Sequence, residues 1–298
     1  MRIAQFEYRK ELCIGIEQNG AWVNYSNAKA VYSLLENGIA TKPPATIAAL
    51  LAQGKFNVEE FRRVLTFVKK NRLAWDLRVS KNAVLKAPIQ RPSKIVALGL
   101  NYVLHAKEGN FQVPKEPIIF MKAGSSVVGP DEVVRIPRGL GRMDHEVELA
   151  VVIGKRASEV KKKDAYTYIA GYCICNDVTA RDLQTKDLEK RHPWFRSKSF
   201  DTFAPLGPWL VTTDELRPPV HVNLECRVNG RIRQRANTKD LVFDIPTVIQ
   251  FITKYITLEP GDIVSTGTPG GIGPITRGDT MICRIEKIGE LRNSVTFR

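Results

Sequence analysis

Two hydrophobic periods divide this chain of 298 residues. Residues 2–8, 12–17 and 21–25 are short runs rich in apolar and aromatic side chains, with Asn19-Gly20 between the last two. Runs of this kind around an Asn-Gly pair predict strands joined by a tight hairpin. Helical stretches are expected at about 28–36, 45–53 and 57–72. In the third, Phe61, Val64, Leu65 and Val68 recur at helical spacing. The stretch 83–93 carries Pro88 and Pro92 and reads as a connector. A strand over 94–100 then opens a region of short strands: 117–121, 133–136, 146–153, 168–175, 208–213, 221–228, 231–235, 263–266, 279–287 and 291–297. Asn229-Gly230 marks another hairpin, and a helix over 244–255 has Asp244 as its cap and Pro246 in its first turn. The pattern predicts a β-rich α+β chain. A small N-terminal α/β domain spans 1–93, and a larger domain spans 94–298.

One of these strands carries misplaced charge. Glu146 and Glu148 lead into the unbroken apolar run 149–153. Period two puts both carboxylates on one face, roughly 7 Å apart along the strand. Two carboxylates in an apolar setting repel each other and resist desolvation. A hard divalent cation such as Mg²⁺ or Mn²⁺ resolves that conflict through oxygen ligands. Asp177, between a strand-like and a helix-like run, could supply a third oxygen. The ordinary alternative is a solvent-facing strand edge with two glutamates. The lack of alternation over 149–153 favours a strand covered on both faces, but spacing alone leaves both readings open.

Composition narrows the field. Apolar residues make up 43% and charged residues 26%, as in a soluble globular protein. The N-terminal residues lack the apolar core of a secretory signal, and no apolar run approaches the ~20 residues of a membrane span. Five scattered cysteines, with only Cys173 and Cys175 close together, do not form a zinc pattern. Free thiols in a reducing cytoplasm are expected. The net charge is +14. Residues 1–93 hold 15 Lys/Arg against 7 Asp/Glu, so the excess is densest there. No nucleic-acid module or interleaved aromatic stripe accompanies it. A solvated basic surface is expected, with attraction of anionic substrates as an added effect.

Two further clusters are weak when taken singly. His105 and Glu108 lie at i and i+3 of a short helical run after Gly99-Leu100-Asn101-Tyr102, and a carboxylate beside an imidazole can activate water. Residues 265–273 alternate hydroxyls and glycines after a strand, which lets a backbone approach an anion closely.

Taken together and in order, the clusters resemble the fumarylacetoacetate hydrolase family. The matching residues are Gly99 to Tyr102, His105 and Glu108, Lys122 in Phe-Met-Lys-Ala-Gly-Ser-Ser, Asp144, Glu146 and Glu148. The match continues through Asn176-Asp177, Ala180-Arg181-Asp182, Gln184, Lys198-Ser-Phe-Asp and Thr266 to Pro269. The resemblance covers roughly 94–298, and within it the acylpyruvate hydrolase and 2-hydroxyhepta-2,4-diene-1,7-dioate isomerase group is the nearest type. Ser197 stands where the family usually has glycine, which could tighten the turn before Lys198.

The resemblance implies a mixed β-sandwich roll around Mg²⁺ or Mn²⁺, and a homodimer. It implies Glu146, Glu148 and Asp177 as metal ligands, and His105, Glu108 and Lys198 as catalytic residues, the first two on a lid. Lys122, Arg181, Gln184 and Thr268 would contact the substrate, a small anionic 2-oxo acid. The implied reaction is hydrolysis of a C–C bond in an acylpyruvate, passing through an enolate that the metal and Lys198 stabilise. Isomerisation or decarboxylation of related 2-oxo diacids, oxaloacetate included, uses the same site. A non-catalytic anion- or nucleic-acid-binding protein is the alternative of another class. The complete set of carboxylates, lysine and dyad argues against it.

Overall fold

The computed structural model describes residues 1–109 and 111–298. The N-terminal part begins with an antiparallel meander of β1 (Arg2–Tyr8), β2 (Glu11–Gln18) and β3 (Ala21–Asn24). Three helices follow: α1 (Tyr25–Asn37), α2 (Ile47–Ala52) and α3 (Val58–Lys70). Each starts where a short polar side chain can accept an otherwise unpaired backbone N–H. Asn24, Thr46 and Asn57 accept from Asn27, Ala49 and Glu60 respectively. In α3, Glu59 and Glu60 open the helix and Lys69 and Lys70 close it, which suits the helix dipole. The expected face of α3 is buried: Phe61, Val64, Leu65 and Val68.

The expected connector over 83–93 is structured instead. Its first half forms β4 (Val84–Lys86), an antiparallel partner of β1. Ala87, Pro88, Ile89 and Pro92 are buried. Proline removes a donor but does not prevent burial at the edge of a sheet.

The remaining chain supplies β5 (Ile95–Gly99), α4 (Val103–Glu108), β6 (Ile118–Lys122), β7 (Val127–Val128), β8 (Val134–Ile136), β9 (Met143–His145) and β10 (Val147–Ile153). It continues with β11 (Ile169–Asn176), β12 (Thr179–Ala180), α5 (Arg181–Glu189), α6 (Phe195–Lys198), β13 (Ala204–Thr212), β14 (Asn223–Val228) and β15 (Arg231–Asn237). The last elements are α7 (Ile245–Tyr255), β16 (Ile263–Ser265), β17 (Gly273–Ile275), β18 (Thr280–Ile285) and β19 (Gly289–Phe297). The largest sheet runs β3-β2-β1-β13-β11-β10-β16-β5-β6, with β4 and β7 attached at β1 and β13. A five-stranded sheet, β15-β14-β18-β19-β8, and a small one, β12-β9-β17, complete the β structure. This is the β-rich mixed α/β architecture that the pattern predicts.

The period-two face of β10 explains where the site lies. Every residue of β10 is buried. Val147, Leu149, Val151 and Ile153 join a core cluster with Leu224, Cys226, Met281 and Cys283 of the five-stranded sheet. Ala150 and Val152 point the other way, into a cluster with Ile47, Leu50, Phe61 and Val64 of the N-terminal helices. On β11, Tyr172 and Ile174 face the first cluster, and Cys173 and Cys175 face the second. The N-terminal part therefore covers the face whose continuation carries Glu146, Glu148 and Asp177. Its sheet joins the larger region through β1 and β13, at Arg2↔Val211 and Ile3↔Leu210. No helix among the described residues is long and apolar enough to cross a membrane.

Sharing one sheet and one core cluster makes separate unfolding of 1–93 and 94–298 unfavourable. Phe61→Ala should cost about 3–5 kcal/mol, the usual loss for a fully buried aromatic ring. It should lower the melting of the whole chain as one transition. Calorimetry of wild type and variant checks this. Two resolved endotherms, with only one moved by the substitution, would show independent units.

Candidate active site

Three carboxylates meet where β10, β11 and β16 end. Glu146 sits between β9 and β10, and its backbone N–H donates to the Asn176 side-chain oxygen at 2.8 Å. Asp177 follows β11, and its N–H donates to the Glu146 carbonyl at 2.8 Å. Glu148 is the second residue of β10. Its Oε2 accepts from Ser265 Oγ at 2.6 Å and from the Gly267 N–H at 2.9 Å. Gly267 has φ +96°, and a Cβ there would lie 2.8 Å from Asn101 Cβ, so the turn that reaches Glu148 needs glycine. One oxygen from each carboxylate lies within 4.8 Å of the others, and all three residues are buried. Fixed oxygen donors at this spacing suit a hard divalent cation.

Cations surround the triad without saturating it. Lys198, at the end of α6, donates to Glu146 Oε2 at 2.8 Å and to Asp177 Oδ2 at 2.6 Å. Ser197 Oγ donates to the Trp194 carbonyl at 2.8 Å and closes the turn before the lysine. Arg181, first in α5, reaches Asp144 through Nε at 2.8 Å, and also Glu146 and the Gln184 side-chain oxygen. Expected against substrate, Lys122 lies instead behind Asp177. It is fully buried and donates to Asp177 Oδ1 at 2.6 Å, to the Val178 carbonyl at 3.3 Å and to the Lys198 carbonyl.

The surroundings drive Glu146 and Glu148 in opposite directions. Burial raises the carboxyl of Glu146, but Lys198 and Arg181 outweigh it and hold the group well below the usual carboxylate range. Glu148 has no cation in contact. Burial first, then the charges of Asp177 and Glu146, push it up to about 8 against a weaker lowering by Ser265 and Lys198. Burial lowers the Lys198 ammonium, but Asp177 and Glu146 more than restore it, so it stays charged. Glu148, the one member of the triad without an ion-pair partner among the described residues, marks where positive charge is lacking, which is the position a divalent ion would fill.

A cavity of about 710 Å³ opens over the triad. His105, Glu108, Glu146, Glu148, Arg181, Gln184, Lys198 and Thr268 line it. Leu98, Ile118, Phe120, Leu188 and Trp194 form an apolar wall. Gly99 makes room for Trp194, whose ring would be 2.9 Å from a Cβ at that position. His105 and Glu108 share one side of α4, but Nδ1 and Oε2 are 3.8 Å apart, beyond hydrogen-bonding distance. Glu108 Oε2 accepts instead from the Gly271 N–H at 3.0 Å. Burial lowers the His105 pKa below 6.5, the largest of several opposing effects, so the ring is neutral near pH 7. Past α4, Phe111 is half-exposed at the cavity lip; Asn110, inside the expected lid, lies outside the described residues.

The hydroxyl cluster over 265–268 acts as bracing. Thr266 Oγ1 donates to the Leu149 carbonyl, and Thr268 Oγ1 donates to the Val147 carbonyl, both at 2.9 Å. Gln234 was absent from the expected site and yet ties it together. Its oxygen accepts from the Val147 N–H at 3.1 Å and faces His145 Nδ1 at 3.0 Å. Its nitrogen donates to Thr268 Oγ1 at 2.8 Å and to the Pro269 carbonyl at 2.9 Å. No local signal marks it in the β15 run Arg-Ile-Arg-Gln-Arg-Ala-Asn, although in the fold it is the one fully buried position there.

With Glu148 at about 8, the ion-free site holds a proton near pH 7 that a divalent cation must displace. Mn²⁺ binding should then release close to one proton at pH 7. Apparent affinity should rise by up to roughly tenfold per pH unit until about pH 8, then level off. Calorimetry in two buffers of different ionisation enthalpy reads the released protons. Binding with no proton release, and equal affinity at pH 6.5 and 8, would contradict the assignment of Glu148.

The profile described as fumarylacetoacetate (FAA) hydrolase C-terminal matches residues 94–296. An uncharacterized protein of Methanocaldococcus jannaschii is 50% identical over 205 residues, 69% of this chain and 84% of that protein. A mitochondrial oxaloacetate tautomerase of Homo sapiens is 41% identical over 261 residues, 85% of this chain and 80% of that protein. The solved structure of maleylpyruvate hydrolase from Sphingobium sp. SYK-6, in complex with manganese(II) and pyruvate, is 30% identical. It aligns over 100% of this chain and 99% of that one, with a TM-score of 0.76. The chain belongs to the fumarylacetoacetate hydrolase family.

Proposed function

We propose that the chain is a divalent-metal-dependent enzyme that enolises a 2-oxo carboxylic acid, with keto–enol tautomerisation or isomerisation as its net reaction. The observation that carries this reading is the contrast between two parts of the cavity. The charged end is fully assembled, whereas the His105–Glu108 pair that hydrolysis needs is not hydrogen-bonded.

Enolisation needs a base for the proton at C3 and a positive environment for the oxygen at C2. A divalent cation held by Glu146, Glu148 and Asp177 would supply Lewis-acid charge beside that oxygen. Lys198, fixed by Glu146 and Asp177, offers an N–H from a charge that burial does not remove. His105 is neutral, lines the cavity, and has no hydrogen-bond partner on Nδ1 among the described residues. It can take the proton from C3 and return it on the other side of the equilibrium. The Gln184 oxygen is held by Arg181, which turns the amide N–H₂ outward as a further donor. The apolar wall keeps bulk water from the enol. The human relative, named an oxaloacetate tautomerase, supports a reaction without water as a reactant.

Hydrolysis of an acylpyruvate is the second reading. The i, i+3 placement of His105 and Glu108 favours it, because a small shift of either side chain would join them. The neighbour named maleylpyruvate hydrolase supports this alternative.

The two readings separate in a paired assay with Mg²⁺ or Mn²⁺. Loss of the oxaloacetate enol band should be accelerated far more than cleavage of acetylpyruvate. The reverse order would establish hydrolysis. His105→Ala should lower the tautomerisation kcat by roughly 10²–10⁴-fold, the usual worth of a general base. The base must be neutral, and its folded pKa lies below 6.5. Activity should therefore persist as pH falls to 6.5 and decline below it, and His105→Ala should abolish that acid limb. An acid limb unchanged in the variant would assign the proton transfer to another group.

A further inference from the structure

We propose that Arg142 is a specificity-determining residue, whose guanidinium reads the second carboxylate of a 2-oxo dicarboxylic substrate. This rests on the proposed enolisation of a 2-oxo acid and adds the residue that selects its distal end. Three permanently cationic side chains line the cavity among the described residues: Arg142, Arg181 and Lys198. Two of them are committed. Lys198 is shared by Glu146 and Asp177, and Arg181 spends its three nitrogens on Asp144, Gln184 and Glu146. Arg142 is different. Its Nε donates to Asp144 Oδ1 at 2.6 Å, and its two terminal nitrogens have no protein acceptor among the described residues. The side chain is 45% exposed, so solvent and cavity both reach it.

This guanidinium is held ready for an anion. Asp144 is fully buried, and both of its oxygens are used, one by Arg142 and one by Arg181. It grips the inner edge of Arg142 and leaves the outer pair of N–H₂ groups for a planar, two-oxygen partner. The backbone is fixed as well. The Arg142 N–H donates to Asp182 Oδ2 at 3.1 Å, and the Arg142 carbonyl accepts from the Arg181 N–H at 2.8 Å. Gly141, at φ +80°, passes so close to Asp182 that a Cβ would fall 2.0 Å from its carboxylate. Anchoring of this kind reduces the side-chain entropy lost when a ligand is gripped.

The arrangement of the cavity matches such a ligand. The carboxylate triad and Lys198 receive the 2-oxo acid end. Phe120 and Trp194, 5.6 Å apart edge to face, offer an apolar surface to the carbon chain. Arg142 stands three ion pairs away from Glu146 along the chain Glu146–Arg181–Asp144–Arg142. A substrate with a neutral distal group would leave that guanidinium without a ligand partner.

The test compares two probes that share the 2-oxo acid end, 2-oxoglutarate and 2-oxobutyrate. Calorimetry on the Mg²⁺-loaded full chain gives both dissociation constants for wild type, R142Q and R142K. Wild type should bind the dicarboxylate about 10–100-fold more tightly, the range for a hydrogen bond to a charged group. R142Q should erase that ratio, and R142K should keep an intermediate one. A ratio that survives R142Q, or equal affinities in wild type, would overturn the proposal. The wild-type ratio decides it even if the variants fail to fold. An arginine that merely held β9 in place would weaken both probes alike and leave the ratio unchanged. Deuterium incorporation at C3 in the same samples reads enolisation separately. A dicarboxylate preference without exchange would sink the enolisation reading and leave Arg142 as the selector.

Discussion

The structure depends on a concentration of buried negative charge. Glu146, Glu148 and Asp177 bring carboxylate oxygens within 4.8 Å of one another at positions closed to solvent. At an effective dielectric of ~20, two unit charges at that separation repel by roughly 3 kcal/mol. Desolvation adds to this cost. Lys198 and Arg181 offset Glu146, and Lys122 and Lys198 offset Asp177. Glu148 has only the Ser265 hydroxyl and a backbone N–H, and it answers by holding its proton. Such a set is costly as scaffold, since apolar residues of similar volume would fold at least as well. Its use lies in what it can bind.

The rest of the fold serves that cluster through one sheet face. Strands β10 and β11 send alternate side chains into two separate cores, and the carboxylates end the face that the N-terminal helices cover. Along that face Val152 and Ala150 meet Phe61 and Leu50, and Glu148 and Glu146 then meet the cavity. Residues 1–93 thus exclude water from the strands that hold the ligands. Gln234 does comparable work from the opposite sheet, by fixing Val147 and Thr268 on either side of Glu148.

The paired glutamates of the candidate site were legible in the sequence through strand periodicity, whereas Lys198, Arg181, Gln184 and Thr268 entered as site residues only through the family resemblance. Two glutamates two apart before an unbroken apolar run can only share a face, and β10 is buried along its full length. The i, i+3 spacing of His105 and Glu108 placed them on one side of α4 in the same way. Roles that depend on tertiary approach were not legible. Lys122 looked like a substrate contact and proved to be a brace, because nothing local reveals that Asp177 stands in front of it. Gln234 gave no local signal, since its partner Val147 lies 87 residues away on another sheet. Arg142 has its partner Asp144 only two residues on, but nothing local reveals that the arginine opens onto the cavity. The 83–93 stretch failed for a different reason. Its prolines were read as breakers, yet β4 pairs with β1 before they occur, and the prolines themselves are buried.

On this reading the three carboxylates form one divalent-cation site at the floor of the cavity. Anomalous diffraction from crystals of the full chain grown with Mn²⁺ tests it most directly. A single strong manganese peak is expected among Glu146, Glu148 and Asp177, lost in Glu148→Gln crystals that retain the fold. A peak elsewhere on the chain, or none between these carboxylates at saturating Mn²⁺, would contradict it.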